Sequence, residues 1–532
     1  MSSESTPEHY DYIIIGGGLA GSVLASHLSQ AKSKPKVLLV EAGPNVADNT
    51  VIPHAINTPF LMGSELDWRF KTTPQNELNG REVNNPEGKC LGGSTAINFY
   101  RRDFDLWAKL VGDERYSYDR MLEYFIRTEN YHDPNVTSGQ HGAEGPVHVA
   151  TANQIEPREN LDGNAGSPNG LVELAENRRN GLRQLASSAY PLDNVTVLTE
   201  TLVARILFDK APTGVPKAEG IETAEGKSYY GKEIICTAGS YRTPQLLMLS
   251  GIGPETTLSG HGIPIIANNH EVGRNLSDHL MLTQYWKLKD PSAGYALGSS
   301  NPLFAQPEFA LGVPTDLVVK TDVPKEGLAE AIAADEGVAP SSEHPILKSE
   351  RAVLEHLVQY AAFSPADPTV PLDGTHIAST IVHLLPTSTG AVSISSRDTA
   401  SDPVINPQYL STQADCYALR VGLQNIARLF LNTETGRSIV DSETAPDTFD
   451  PISLTSSDEY LDSRIRHAAT STFHPTGTCS MGKVVDSDFR VFGVSNLRIV
   501  DASVIPTPIA AHIQAAVYAL AELAADIIGN GV

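Results

Sequence analysis

The chain has 532 residues, of which 41% are hydrophobic and 19% charged, with 42 glycines and 35 prolines. This composition excludes a collagen-like, coiled-coil or wholly disordered chain, and the length predicts two or more domains around a large core. Asp and Glu number 63 against 39 Lys and Arg, a formal net charge of −24, which disfavours nucleic acid and anionic membranes as partners. Small molecules are the expected partners.

The polar N-terminus lacks the pattern of a signal peptide, and no apolar run reaches the roughly 18 to 20 residues of a membrane span. We therefore expect a cytoplasmic protein with no membrane contact. The four cysteines are too scattered for a disulfide framework and form no C-x-x-C pair. They are Cys90, Cys236, Cys416 and Cys479.

A nucleotide-binding pattern opens the chain. Residues 11–15 (DYIII) predict a buried strand, the glycine-rich turn Gly16–Gly21 follows, a helix is expected to about Ser29, and a second strand at Val37–Val40 ends in Glu41. A G-x-G-x-x-G turn between strand and helix, with an acidic residue about 20 positions later, is typical of a dinucleotide site. The glycines let the backbone approach a pyrophosphate at the helix N-terminus, and the carboxylate accepts hydrogen bonds from a ribose.

Later segments predict the rest of an α/β sheet. Strand-like runs occur at Val195–Leu198, Ala204–Phe208 and Glu233–Thr237. A last strand is predicted at Leu497–Val500 and a helix over Ala515–Ile528, so we expect the first and last segments to lie together. The stretch from about 285 to 375 is rich in Pro, Ser, Gly and Ala and is predicted to be an irregular cap or substrate-side insertion.

Three groups of motifs resemble the signatures of the glucose-methanol-choline (GMC) flavoprotein oxidoreductases. The first runs from Gly88 to Asn98 (GKCLGGSTAIN), and the second from Gly239 to Gly253 is followed by the family-like stretch Val272–His279. The C-terminal active-site block comprises His474–Gly482 (HPTGTCSMG), Val500–Ser503 and His512–Gln514. The resemblance spans residues 10–528 and is weakest between 285 and 375.

The resemblance implies an α/β fold in which a Rossmann-like FAD-binding domain is interleaved with an α+β substrate domain built on an antiparallel sheet. The FAD-binding domain is expected to comprise residues 8–60, 80–100, 190–285 and 465–532. The substrate-binding or cap domain is expected to comprise residues 61–79, 101–189 and 286–464. The implied reaction is oxidation of an alcohol by hydride transfer to flavin N5.

The family motifs also imply which residues contact FAD. The ADP half is assigned to Gly16, Gly18, Leu19, Ala20, Gly21 and Glu41, with Val203 near the adenine. The isoalloxazine is assigned to Ser94, Asn98 and Phe99, and the ribityl and pyrophosphate to Asp501 and Ala502. Further predicted contacts are Trp68, Gly93, Ile513 and Gln514, although Trp68 fits core packing equally well.

The attachment of FAD is predicted from one position of the first signature. In covalent members a histidine stands directly before the signature asparagine, whereas here Ile97 precedes Asn98. Noncovalent FAD is therefore predicted.

The chemistry requires a base, because hydride leaves an alcohol carbon readily only as the hydroxyl proton departs. Histidine suits this task near neutral pH, and His474 is the predicted general base, with His512 holding the same oxygen. The helix after His512 would direct its positive end at flavin N1 and the C2 carbonyl. No role and no metal are predicted for four further histidines, because no metal spacing or carboxylate pairing joins them. These are His132, His141, His148 and His279.

The sequence indicates the substrate and the type of reaction less directly than it indicates the cofactor. The segment His512–Gln514 resembles aryl-alcohol oxidases more than choline-type enzymes, which predicts a primary benzylic, allylic or furanic alcohol, a biosynthetic intermediate being one such substrate. The electron acceptor, O2 or another, and the oligomeric state stay open. The loop after Asn98 is shorter than in the family, which would open the pocket or change oxygen access. The alternatives are a non-redox hydroxynitrile-lyase-like or isomerase-type flavoprotein using the same histidines, and a silent flavoprotein scaffold.

Overall fold

A computed structural model gives the structure of most of the chain. The described residues are 8–54, 57–95, 103–132, 139–151, 169–209, 214–306, 309, 312–348 and 351–530. Ile97, Asn98, Phe99 and the short loop that follows lie outside the described residues.

The first large sheet, called here the nucleotide sheet, is parallel at its centre. Its strands run in the order Val195–Leu198, Val37–Val40, His9–Ile15, Ser228–Cys236, Ala218–Thr223 and Val203–Phe208, and Leu497–Ile499 also pairs with Ser228–Cys236. Val37–Val40 and the C-terminal ends of the two strands beside the centre are buried on both faces, which is why Val37–Val40, Ile13–Ile15 and Ile234–Cys236 are continuous apolar runs. All predicted strands of this sheet are confirmed, with shifts of a few residues at their ends.

Two helices join the ends of the chain. The first helix, Leu19–Ser29, packs against the last helix, Gln514–Asn530. His27 Nε2 lies 2.8 Å from Glu522 Oε1 across this contact. The expectation that the first and last segments lie together is therefore confirmed.

The second large sheet is antiparallel. Its order is Val440–Glu443, Leu280–Leu288, His376–His383, Leu354–Gln359, Leu317–Thr321 and Gly170–Glu173, and Thr470–Ser471 also pairs with Leu280–Leu288. The long helix Gln413–Asn432 shares an apolar core with one face of this sheet.

The prediction of an irregular stretch from 285 to 375 was wrong for much of its described part. This stretch contributes the strands Leu317–Thr321 and Leu354–Gln359 and the helix Lys325–Glu336. The two strands place Lys320 and Glu355 in the interior, so they carry no simple apolar run. Pairing within the sheet, rather than local pattern, determines their structure.

Shorter elements complete the fold. The remaining helices of the described chain are Thr58–Leu61, Asp103–Val111, Tyr118–Thr128, Ala186–Ala189, Gly239–Leu249, Glu255–Gly260, Pro345–Lys348, Glu434–Ile439 and Asp458–Ala468. Small sheets join Phe70–Lys71 with Asn84–Asn85, Arg178–Arg179 with Leu182–Arg183, Ile252–Gly253 with Ala267–Asn268, Glu129–Tyr131 with Val147–Thr151 and Ala175–Glu176, and Arg274–Leu276 with Gly390–Ser393 and Val404–Asn406.

The architecture is the expected mixed α/β fold with a sheet-rich second unit, while the residue limits of the two domains stay predictions. Trp107 is buried and stacks on Tyr116, as expected for a core residue. All four cysteines are buried and unpaired in disulfides. Within the described ranges, no helix is both long and apolar enough to cross a membrane.

Candidate active site

A cavity opens where the strands of the nucleotide sheet end. It is lined by most of the residues that the motifs single out, which lie far apart in the sequence. These are Gly16, Gly18, Leu19, Ala20, Glu41, Trp68, Gly93, Ser94, Val203, His474, Asp501, Ala502, Ile513 and Gln514. Ligands of doubly wound sheets bind in this position, at the carboxyl ends of the strands.

The glycine turn leaves no room for side chains. Gly16 has φ +106°, and a Cβ there would lie 2.5 Å from the carbonyl oxygen of Thr237. A Cβ on Gly93 would lie 2.7 Å from Gly18 Cα, so the two glycine loops approach each other backbone to backbone. Gly21 does not line the cavity but packs on the turn, since its Cβ would lie 2.0 Å from Gly16 O.

The first helix begins at this turn and directs its N-terminus at the cavity. Its N-cap residue Gly18 supplies no side-chain hydrogen bond, and its first turn contains no acidic residue. The first backbone N–H groups are therefore available to an anion such as a pyrophosphate.

Glu41 also lines the cavity, directly after the strand Val37–Val40. Its carboxylate accepts hydrogen bonds of 2.7 Å from the backbone N–H of Gly17 and of Gly43. Burial raises its pKa to about 7, because these hydrogen bonds offset the loss of water only in part. Each oxygen keeps a lone pair for a ribose hydroxyl, so the turn, the helix and this carboxylate fit the ADP half of FAD.

Two charged residues of the cavity lining were missed by the sequence reasoning, Glu87 and Arg242. The guanidinium carbon of Arg242 lies 4.1 Å from the centre of the Trp68 ring, which also stacks on Phe70. Glu87 lines the same wall, and burial together with Asp501 raises its pKa to about 8. Trp68 therefore lines the cavity and also packs against neighbouring side chains, so both interpretations of this residue hold. Arg242 lies within the second motif and Glu87 directly precedes the first, but neither motif indicates that these side chains line the cavity beside Trp68.

His474 lies on the cavity wall within a cluster of three histidines. Its Nδ1 is 3.1 Å from His279 Nδ1 and 3.1 Å from Thr472 Oγ1, and its ring centre is 4.7 Å from that of His512. Burial, with the nearby His512 and His279, holds the pKa of His474 well below its usual value. The sequence predicts no role for His279, and strand pairing brings its buried ring against His474.

The backbone of His474 is fixed by a buried carboxylate, Asp278. The His474 N–H donates to Asp278 Oδ1 at 2.9 Å, and Ser471 Oγ donates to Oδ2 at 2.5 Å. The Tyr409 hydroxyl donates to the same Oδ2. The family-like stretch that contains Asp278 therefore anchors the loop carrying His474.

His512 is held by Glu355, which the sequence did not indicate. His512 Nε2 lies 2.8 Å from Glu355 Oε1, and Lys320 Nζ lies 3.7 Å from Oε2. Burial alone would raise the pKa of Glu355, but its attraction to His512, the hydrogen bond between them and Lys320 lower it to about 2. The carboxylate therefore stays ionised and accepts the Nε2 hydrogen of His512.

A histidine away from this cluster, His141, also pairs with a carboxylate. His141 Nδ1 lies 2.6 Å from Glu129 Oε1, so the expectation that no carboxylate joins it was wrong. Among the residues with described positions, no three His, Cys, Asp or Glu side chains form a metal-binding group.

The last helix begins at Gln514, directly after the His512 segment, as predicted. Ile513 and Gln514 line the cavity together with His474. The positive end of the helix therefore faces the space beside the histidines.

Comparison with known proteins assigns the family. Two family models described as GMC oxidoreductase match residues 10–281 and 386–521. The chain belongs to the GMC oxidoreductase family. It is 41% identical to the GMC-type oxidoreductase acuG of Aspergillus aculeatus, over 98% of this chain and 99% of that protein. It is accordingly an FAD-dependent oxidoreductase.

Solved structures of GMC oxidoreductases share the whole fold. A formate oxidase of Aspergillus oryzae, studied for modification of its FAD, superposes with a TM-score of 0.84 at 27% identity, covering 99% of both chains. A fungal aryl-alcohol oxidase superposes with a TM-score of 0.80 at 22% identity, covering 98% of this chain and 99% of that one. The second likeness extends to the fold alone, so the nearer resemblance to aryl-alcohol oxidases stays a prediction.

Proposed function

We propose that this GMC oxidoreductase oxidises a primary alcohol to the aldehyde, with His474 as the general base. The observation that carries the proposal is the position of His474, a buried histidine on the wall of the cofactor cavity beside His512. Bound FAD would supply the hydride acceptor. In a non-redox lyase or isomerase the same histidines would serve as acid and base. Reduction of the flavin by the substrate distinguishes alcohol oxidation from these reactions.

The two histidines have different tasks in this proposal. The depressed pKa of His474 leaves its ring without a second proton near neutral pH, so it is ready to accept the hydroxyl proton. His512, anchored by the ionised Glu355, orients the same oxygen and stabilises its developing negative charge. His474 is buried and the His512 side chain is 14% exposed, so little water reaches the site of proton transfer.

The cofactor and substrate follow from the motifs. We propose that FAD is held noncovalently, with its adenosine at Glu41 and Val203, its pyrophosphate at Gly16 to Gly21 and its ring toward His474. A benzylic, allylic or furanic alcohol is the proposed substrate class, on the resemblance of His512–Gln514 to aryl-alcohol oxidases. A biosynthetic intermediate of that class fits this proposal.

Anaerobic mixing of the holoenzyme with benzylic, allylic and aliphatic alcohols tests the proposal. Loss of the visible flavin band is expected with one class, and admitting air then separates an oxidase from a dehydrogenase. Turnover of a cyanohydrin without loss of the band would instead establish a lyase.

His474→Ala is expected to slow flavin reduction at least about 10²-fold while FAD stays bound, since a general base is lost. The matched control is His270→Ala, whose side chain is 76% exposed and which is expected to react like the unaltered enzyme. Near-normal reduction in His474→Ala would remove this residue from the mechanism.

A further inference from the structure

The hydrogen bonds behind His474 determine which of its ring nitrogens carries the proton. Thr472 Oγ1 lies 2.9 Å from the carbonyl oxygen of His279, to which it can only donate. A hydroxyl has one hydrogen, so the same oxygen must accept from His474 Nδ1, 3.1 Å away. His474 therefore carries its hydrogen on Nδ1, and Nε2 has none.

His279 provides a second acceptor for that hydrogen. Its Nδ1 lies 3.1 Å from His474 Nδ1, and because the latter carries the hydrogen, His279 Nδ1 must be bare. The His279 ring also makes a hydrogen bond to the backbone of Ile509. Because this hydrogen bond favours the protonated form of His279, the ring donates an N–H to the Ile509 carbonyl oxygen. The two neutral rings thus have complementary tautomers.

We propose that His279 is the positioning residue of the general base: it accepts the Nδ1 hydrogen of His474 and keeps Nε2 bare toward the cavity. The inference rests on the proposed function, in which His474 takes the alcohol proton. Upon that transfer the O–H bond breaks, an N–H bond forms at Nε2, and the Nδ1 hydrogen stays in place between His474, His279 and Thr472.

A neutral acceptor behind the base differs from the carboxylate found in hydrolase triads. A carboxylate stabilises the protonated ring strongly, whereas a neutral imidazole fixes the tautomer and adds little basicity. Burial, with His512 and His383, lowers the pKa of His279 to about 3, so His279 does not itself take the proton. The other groups facing His474 are His512, with Glu355 behind it, and Asp278 at the His474 backbone.

Two substitutions separate the two hydrogen bonds of His279. The amide oxygen of His279→Asn occupies the place of Nδ1 and can still accept from His474, whereas the longer side chain of His279→Gln reaches toward Ile509 instead. Anaerobic flavin reduction is expected to stay within about threefold of the unaltered enzyme in His279→Asn and to slow about tenfold in His279→Gln, a loss typical of one misplaced catalytic proton.

Further readouts distinguish positioning from a general structural effect. In His279→Gln the alcohol Kd and the FAD content are expected to be unchanged. The acidic limb of the pH profile is expected to move only slightly to lower pH, because the protonated His474 has lost a neutral acceptor that adds little to its basicity. Equal rates in His279→Gln and the unaltered enzyme, or equally slow Asn and Gln variants, would overturn the proposal.

Nitrogen NMR of the holoenzyme with isotope-labelled histidine tests the tautomer without any substrate. The signals that disappear in His474→Ala are expected to show a protonated Nδ1 and a bare Nε2, and the reverse would overturn the inference. If this tautomer is found while no alcohol reduces the flavin, the positioning by His279 stands and the proposed alcohol oxidation fails.

Discussion

Glu355 and Glu41 are both buried carboxyls, yet their pKa values move in opposite directions. Burial alone would raise the pKa of Glu355, but its attraction to His512, the hydrogen bond between them and Lys320 outweigh that cost and lower the pKa to about 2. Glu41 is contacted mainly by backbone N–H groups, and burial raises its pKa to about 7. Partners, rather than depth of burial, decide the charge of each residue.

For Glu355, the substitution Glu355→Gln is expected to slow flavin reduction about 10- to 100-fold with FAD still bound. The neutral amide is a weaker acceptor for the Nε2 hydrogen of His512, so the ring is held less firmly and the alkoxide loses part of its stabilisation. Anaerobic mixing measures the rate, and the exposed Glu225→Gln serves as the matched control. A normal rate in Glu355→Gln would show that His512 needs no charged partner.

For Glu41, FAD affinity is expected to be about tenfold weaker at pH 6 than at pH 8. The ribose hydroxyls donate to an ionised carboxylate, so below a pKa of about 7 binding must first remove a proton from Glu41. Fluorescence titration of flavin-stripped protein measures this. Glu41→Gln is expected to bind FAD more weakly at pH 8 and without this pH dependence; a flat profile in the unaltered protein would contradict the assignment.

The site residues differ in how far the sequence reveals them. His474 and Glu41 stand in motifs whose spacing is fixed by a local turn, so their presence in the cavity could be predicted. Glu355 and His512 are 157 residues apart, and His279 meets His474 across 195 residues. Those contacts depend on pairing in the antiparallel sheet, for which the sequence carries no local signal.

At the level of elements, the first helix contains Gly21, although glycine disfavours helices. Alanine is usually better than glycine inside a helix by about 1 kcal/mol. At Gly21, however, a Cβ would lie 2.0 Å from Gly16 O and 2.8 Å from Thr237 Oγ1. Close packing of the helix on the glycine turn therefore outweighs propensity.

Gly21→Ala is accordingly expected to lower the melting temperature and the FAD content together. Thermal unfolding and the ratio of flavin to protein absorbance measure both. Gly260→Ala is the control, since that helical position has no other atom within 4 Å of an added Cβ and is expected to keep or raise stability. An unchanged Gly21→Ala protein would mean that the turn can move away from the helix.

The two sheets also differed in how well they could be predicted. Val37–Val40 and Ile13–Ile15 are continuous apolar runs because both faces of the nucleotide sheet are buried there. Leu317–Thr321 and Leu354–Gln359 contain buried charged residues that compensate one another across the pairing, so they resemble loops in sequence. These two segments form strands because they pair with neighbouring strands in the assembled sheet.

Across the whole molecule, one cavity collects residues from Ile15 to Val517. Binding of FAD is therefore expected to stabilise the entire fold, by about 2.7 kcal/mol at a free concentration of 100 times Kd. Thermal unfolding of flavin-stripped protein measures the shift. FMN lacks the adenosine that Glu41 and Val203 would hold and is expected to give a much smaller shift; an equal one would contradict that placement.

The packing of the first helix on the last helix also has a consequence for biogenesis. During translation the glycine turn emerges from the ribosome at the start, but the cavity lacks one wall until Asp501 and the segment through Val517 have followed. The nascent chain has no complete FAD site at any earlier point. Cofactor acquisition is thus a late event in synthesis, and the cellular supply of FAD affects the finished polypeptide rather than its early folding.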